Sequence, residues 1–309
     1  MTAAILSSDL THTLHHQFFD PTGEPTATLL IVHGMAEHSG RYALLAQYLA
    51  DHGVAVLTFD QLGHGQSINK PEELGYFQRS HPMQTLLSDV TVMADKLKDR
   101  HPNVPHFVMG HSMGSFIVRT VLQHHSSEFA GAILMGTSDT DPLAPVFLPI
   151  TKVLNKVKPK QQNTVFAKTT NLILNSKLKD KDSKSQYAWV CKNEASRQAY
   201  ENDPLCGFEF TNNGFLGLFS LMVKGLAKDW AQNIDTNFPM LFVSGEDDPI
   251  GNMGKGIKTL TQRLQTQGFT QIEQRLYSDM RHEPLHETER EQVYADLLTW
   301  LEKHSVVAA

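Results

Sequence analysis

Short runs rich in leucine and β-branched residues recur along this chain, and stretches with helical periodicity separate them. Residues 27–32, 54–59, 106–109, 132–135, 240–243 and 272–277 read as strands. Between them, Met83, Leu86, Leu87, Val90, Met93 and Leu97 fall on one helical face, and Tyr294, Leu297, Leu298 and Leu301 on another. Strands that are apolar throughout must be covered on both faces, and parallel neighbours need a crossover long enough to hold a helix. The pattern specifies an α/β fold: a mostly parallel central sheet flanked by helices.

The alternation breaks once. From 138 to 235 no strand pattern is evident, and Pro142, Pro145, Pro149 and Pro159 punctuate a lysine-rich, helical texture. Strand signals resume afterwards, so residues 1–137 and 236–309 read as one core and 138–235 as an inserted helical cap or lid. Between residues 150 and 192 ten lysines face only Asp180 and Asp182, a net +8. The whole chain carries −6, so the remainder carries −14. That acidic body argues against nucleic acid as a partner.

No apolar run approaches the roughly 18 residues of a membrane span, and the first ten residues lack the basic start of a signal peptide. Two cysteines, Cys191 and Cys206, make no disulfide framework. A cytoplasmic protein is the expectation. Sixteen histidines are many, but none falls in a His-Glu-x-x-His or Cys-x-x-Cys spacing, so no metal is expected. Nucleotide-binding glycine patterns are also missing.

Gly110-His111-Ser112-Met113-Gly114 follows the strand ending at Met109 and precedes a helical run over 116–124. A serine on a sharp strand-to-helix turn needs small neighbours, because the strained backbone and close packing leave no room for Cβ atoms. Such a nucleophile requires oxyanion donors, a base and an acid to orient the base. The backbone amides of Met35, in His33-Gly34-Met35 after the first strand, and of Met113 are the expected donors. Glu246, Asp247 and Asp248 follow the strand at 240–243, and His282 follows that at 272–277. This is the chain order Ser…Asp/Glu…His. His282 reads as the base, and His286 as the start of the last helix. Asp60 and the glycines of Phe59-Asp60-Gln61-Leu62-Gly63-His64-Gly65-Gln66-Ser67 read as a structural loop under the site.

These residues resemble a known family. His33-Gly34-Met35-Ala36-Glu37-His38-Ser39-Gly40-Arg41-Tyr42 is similar to the signature of monoacylglycerol lipases and related bacterial lysophospholipases. The 59–67 segment, the 110–114 motif, Gly245–Asp248 and Arg281-His282-Glu283 match as well. The resemblance runs from about His15 to His304 and implies the α/β-hydrolase fold. It implies a serine ester hydrolase with Ser112 as nucleophile, Asp248 as acid and His282 as base. Met35 and Met113 then supply the oxyanion amides, and no cofactor takes part. His33, Gly34, Glu37, His38, Arg41 and His111 are expected behind the oxyanion loop as a fixed network. In the cap, residues 151–157 and 202–206 resemble lid segments of that family, and the lysine-rich stretch between them departs from it.

Leu143, Val146, Phe147, Ile150, Val153, Leu154 and Val157 recur at helical spacing, with Pro149 expected to interrupt any single helix. Such a stripe is usually buried, on the sheet edge or along an acyl tunnel. Lys152, Lys156, Lys158 and Lys160 lie beside it, and a basic helix with an apolar face can rest on a membrane. The expected partners are a lipid-like ester and, through the cap, the anionic inner face of a membrane. Competing readings are a proline-type aminopeptidase, a short-chain esterase or thioesterase, and a non-catalytic binding protein of the same fold. An imidazole base implies an acid limb to the pH profile.

Overall fold

The computed structural model describes residues 4–179 and 185–305; Asp180, Lys181, Asp182 and Lys184 of the basic stretch, and both ends of the expected core, lie outside them. The chain opens with a short hairpin, β1 (Ile5–Leu6) and β2 (Thr13–Leu14), then β3 (His16–Phe19) and β4 (Ala27–Val32). There follow α1 (Ala43–Asp51), β5 (Val54–Phe59), α2 (Pro82–Arg100), β6 (His106–His111), α3 (Met113–His125) and β7 (Gly131–Met135). Four helices come next: α4 (Ala144–Val157), α5 (Thr164–Ser176), α6 (Glu194–Asn202) and α7 (Asn212–Gly225). The chain then runs through β8 (Met240–Gly245), α8 (Lys255–Thr266), β9 (Ile272–Tyr277) and α9 (Arg290–Ser305).

The seven-stranded sheet has the order β3-β5-β4-β6-β7-β8-β9. Only β3 is antiparallel, pairing His16 with Phe59 at the β5 edge. Alternate residues of each strand point to opposite faces. Leu30 and Val32 of β4 therefore join a core with α2, α3 and α8, while Leu29 and Ile31 join a second core with α1 and α9. Both faces are buried along the central strands β4 to β8, as their continuous apolar runs required, whereas the edge strand β9 leaves Gln274 and Arg275 exposed.

The chain leaves β4 for β5 on one side and then crosses back to β6 on the other. Functional groups of a parallel sheet gather outside the carboxyl ends of the strands at such a switch. Met35 follows β4 and Ser112 follows β6, so both emerge there.

The insertion departs from expectation in two ways. Pro149 lies inside one continuous helix, α4, and does not interrupt it. Pro145 and Pro149 are both exposed, so the carbonyl that loses its donor, that of Pro145, belongs to a residue open to water. The apolar stripe is not buried either: Leu143, Val146, Ile150, Val153 and Val157 all face solvent, the last at 72% exposure. The opposite side of α4 packs on α7, which packs in turn on α2 and α3. Phe147, Phe166, Phe215 and Phe219 make the contact among α4, α5 and α7. Among the described residues, no helix is long and apolar enough to cross a membrane.

Pro149→Ala should restore the missing helical hydrogen bond. Proline costs about 3 kcal/mol inside a helix, offset by up to about 1 through the unfolded chain. We expect α4 to gain about 2 kcal/mol, read as roughly 30-fold slower amide exchange over residues 146–156. Unchanged exchange would show that the helix does not feel the proline.

Candidate functional site

Ser112 sits between β6 and α3 with φ 52° and ψ −120°, a backbone conformation that L-residues rarely adopt. Its amide donates to the Met135 carbonyl at 2.9 Å, and its carbonyl accepts from the Ser115 amide and hydroxyl. The flanking glycines are sterically required. A Cβ on Gly110 would lie 2.4 Å from the Gly114 carbonyl oxygen, and one on Gly114 only 2.1 Å from that of Val32. The first turn of α3 therefore rests on the end of β4, beside the loop that carries Met35. Among the described residues, neither the Met35 nor the Met113 amide donates to another group. Met113 opens α3, where amides are unpaired within the helix and the dipole favours negative charge.

Of the three acids after β8, the fold brings one to His282. Asp248 Oδ2 lies 3.1 Å from His282 Nδ1. The same oxygen accepts from Ser244 Oγ at 2.9 Å, and Oδ1 accepts from the Ile250 amide at 2.8 Å. Burial opposes ionisation of this carboxyl, but the charge and hydrogen bond of His282, with those two donors, hold it below its ordinary range. Asp247 instead receives Lys192 Nζ at 2.7 Å, and Glu246 is exposed. His282 Nε2 is buried and without a hydrogen-bond partner, so the serine–imidazole bond is not made in this arrangement. Bonds of that kind are often long before substrate binds.

The residues behind the Met35 loop form one network with Glu37 at its centre. Glu37 Oε1 accepts from the Gly34 amide at 2.6 Å and the Tyr42 hydroxyl at 2.8 Å, and lies 3.0 Å from His111 Nδ1. Arg41 donates to Glu37 Oε2 at 2.6 Å and forks onto both oxygens of Glu283 at 2.7 and 2.6 Å. Burial would raise the Glu37 carboxyl, yet Arg41 and His111 hold it well below the usual range. Burial would lower the His111 imidazole, and Glu37 raises it above its ordinary value instead. His111 Nε2 lies 3.3 Å from the His282 carbonyl, so the network reaches from one loop to the other. His33 is held by Gln61, whose amide donates to Nε2 at 3.0 Å and whose side chain donates to the His33 carbonyl at 2.6 Å. Asp60 accepts from Ser39 and from the Gln66 amide, which ties the 59–67 loop beneath the site. Glu37, His111 and Glu283 could in principle hold a cation, but Arg41 and Tyr42 already fill that position.

Several contacts come from residues that sequence reasoning did not single out. The Ala36 carbonyl accepts from the Gly207 amide at 2.9 Å and the Tyr200 hydroxyl at 3.0 Å, both in the insertion. His38 Nε2 lies 2.9 Å from Asp203. Trp189 packs against His282 with ring centroids 5.0 Å apart, and the Glu283 amide donates to Val190. Apart from Asp203, in the 202–206 segment, no local pattern marks these residues, because their partners lie up to 171 positions away. His286 is also placed differently from expectation. It ends a 3-10 turn (Pro284–His286), and α9 starts only at Arg290. Pro284 opens that turn, and burial pushes the His286 imidazole down to about 4.

Glu37→Gln should cost about 3 kcal/mol at neutral pH, because it leaves Arg41 incompletely paired. The folded Glu37 carboxyl titrates well below 4.5. Its contribution is therefore complete above that pH and is lost as pH falls through the folded value. Denaturant unfolding should show a gap between wild type and Glu37→Gln that narrows below pH 4.5. A gap of constant size across that range would contradict this role.

Comparison with known proteins adds to this geometry. Residues 23–289 match the Hydrolase_4 family, described as serine aminopeptidase, S33. A monoacylglycerol lipase from Mycolicibacterium smegmatis is 26% identical over 294 residues, 94% of this chain and 92% of that enzyme. Human monoglyceride lipase is 30% identical over 190 residues, 61% of this chain and about half (55%) of that one. Among solved structures, a thermostable carboxyl esterase from Bacillus coagulans superposes with a TM-score of 0.89 at 24% identity, over 98% of each chain, and shows the same fold. The chain belongs to the Hydrolase_4 family of α/β hydrolases and is a carboxylic-ester hydrolase.

Proposed function

We propose that the chain cleaves monoacylglycerols or lysophospholipids to a fatty acid and an alcohol, through an acyl-Ser112 intermediate. One observation carries the chemistry. A serine on a strained turn stands beside two undonated amides, and an imidazole whose Nδ1 rests on Asp248 and whose Nε2 is unpaired packs against His111, the residue just before that serine. In the proposed reaction His282 Nε2 takes the Ser112 proton as Oγ attacks the ester carbonyl. The Met35 and Met113 amides hold the oxyanion, each worth about 3 kcal/mol of barrier. Asp248 keeps the proton of His282 on Nδ1, which leaves Nε2 as the acceptor. His282 then protonates the departing alcohol, and water activated by the same nitrogen releases the acid. His33, Gly34, Glu37, His38, Arg41 and His111 fix the loop that carries Met35.

The substrate class rests on kinship and on the insertion. The mycobacterial relative that matches nearly the whole chain is named a monoacylglycerol lipase. In this reading residues 138–235 act as a cap, and its outer face meets the substrate's own phase. Leu143, Val146, Ile150, Val153 and Val157 form a solvent-facing stripe on α4, and Val165, Leu172 and Ile173 do the same on α5. Lys152, Lys156, Lys158 and Lys160 flank the first stripe and are exposed. Apolar side chains that face water beside lysines suit the surface of an anionic bilayer, and the acidic body would point away from it.

Ser112→Ala should lower ester hydrolysis by about 10,000-fold or more. The substrates to compare are monoacylglycerols, lysophosphatidylcholine, p-nitrophenyl esters of graded chain length and a proline amide. Highest kcat/KM on a proline amide would replace the lipid reading with the aminopeptidase one, and activity that survives Ser112→Ala would end both. For the membrane, co-sedimentation with phosphatidylglycerol vesicles at low salt should capture the wild type. The variant with Lys152, Lys156, Lys158 and Lys160 changed to glutamate should stay in solution. Equal binding of the two would refute a lysine-driven contact.

A further inference from the structure

Among the described residues, the ring of His282 has two aromatic neighbours. One is His111, with centroids 4.9 Å apart, which belongs to the network behind the oxyanion loop. The other is Trp189, with centroids 5.0 Å apart and planes inclined at 45°, which belongs to the insertion. Trp189 is itself held by two asparagines on one helix. Its indole N–H donates to Asn171 Oδ1 at 2.9 Å, and its backbone amide donates to Asn175 Oδ1 at 3.0 Å. Asn175 also donates to the Gln186 carbonyl at 2.8 Å, which fixes the turn that carries the tryptophan. Both asparagines lie on the inner side of α5, whereas Val165, Leu172 and Ile173 are exposed on it. A single helix therefore carries three exposed apolar side chains, among Lys168, Thr169, Thr170 and Ser176 on its outer side, and two inner asparagines bonded to the residue that packs on His282.

We propose that Trp189 is a positioning residue for His282, carried by α5, so that the placement of the base depends on the helix whose outer face meets lipid. The proposal rests on the reading of His282 as the base and of the insertion as a lipid-facing cap. Trp189 touches no reacting atom in this scheme. It limits the tilt of the imidazole on Asp248 and offers its π face to the imidazolium that forms when the base takes a proton. Asn171 keeps the indole from swinging away. When α5 settles on a surface, the indole and the imidazole are held with it.

The variants Trp189→Ala, Trp189→Phe and Asn171→Ala, with His282→Ala alongside, decide the matter. On a soluble short-chain p-nitrophenyl ester, Trp189→Ala should lose about tenfold or more in kcat, with KM changed less than twofold. Trp189→Phe keeps a ring against the imidazole and should recover most of that loss. Asn171→Ala should lose about threefold in kcat. Trp230 and Trp300 are each only 2% exposed, so the difference in emission between wild type and Trp189→Phe reports Trp189. Phosphatidylglycerol vesicles should shift that emission in wild type and shift it less in Asn171→Ala. A raised KM with unchanged kcat in Trp189→Ala would make Trp189 a pocket wall and overturn the proposal. Asn171→Ala behaving as wild type in both kcat and emission would overturn the link to α5. If Trp189→Ala does not fold, Trp189→Phe and Asn171→Ala still give both answers. Activity retained in His282→Ala would defeat the catalytic reading itself, which separates that failure from failure of the Trp189 proposal.

Discussion

The contact between the first turn of α3 and the end of β4 governs the geometry of the site. Gly114 lies so close to the Val32 and His33 carbonyls that even a methyl group cannot enter. That approach places the Met113 amide and the loop that carries Met35 on the same side of Ser112. It also imposes the positive φ of Ser112, because β6 must turn within one residue to start a helix lying against its neighbour strand. Backbone strain of this kind costs about 1–3 kcal/mol and persists only where the surroundings over-determine it. Here the surroundings are two adjacent parallel strands buried on both faces, a rigid support.

Electrostatics holds what packing alone leaves loose. The loop after β4 has no regular secondary structure until the turn that begins at Ser39, and Ala36 in it adopts a positive φ. Glu37 fixes it by accepting from Gly34, three residues earlier, and from Tyr42, five residues later. Buried ions are expensive unless fully paired. Glu37 and Glu283 share the fork of Arg41, and each carboxyl is held below its ordinary range, mainly by Arg41 against burial. The desolvation cost is repaid in specificity: the loop after β4 and the loop after β9 are tied to one guanidinium, so neither shifts without unpairing a buried charge.

The sheet was legible from sequence because its strands are short, apolar in the centre of the sheet and separated by amphipathic helices. Residues 54–59 and 272–277 were expected as strands and are the observed β5 and β9. The N-terminal hairpin and β3 escaped notice, because a two- or four-residue edge segment such as His16–Phe19 has too few positions to show a period. Ser112 and His282 stood out because a motif and a strand end mark them. Among Glu246, Asp247 and Asp248, spacing alone left the choice open and the family resemblance pointed to Asp248; only that one reaches His282. The Lys192 partner that occupies Asp247 lies 55 residues away. Tyr200, Gly207 and Trp189 were invisible for the same reason, since each contact is set by tertiary approach and not by local pattern. Pro149 misled because a rule about helix interiors assumes a carbonyl that cannot reach water, and the exposed side of α4 relaxes that rule.

The insertion joins two tasks that could have been separate. Its 200–207 part donates twice to the Ala36 carbonyl, one residue after Met35. Its 188–192 part receives the Glu283 amide, packs on His282 and places Lys192 on Asp247, beside Asp248. The same insertion carries the exposed apolar residues of α4 and α5. If those faces meet lipid, substrate arrives at the element that also touches the loops carrying Met35, His282 and Asp248. Side chains that alter which acyl group enters cannot then be exchanged freely, because a shift of the helices reaches the loops through short, directional bonds. Such bonds weaken steeply once distance and angle are lost, so small displacements of the insertion suffice to detune the site. A cap built this way would restrict the conformations in which the site is competent as well as the molecules that enter it, and the two kinds of selectivity would change together.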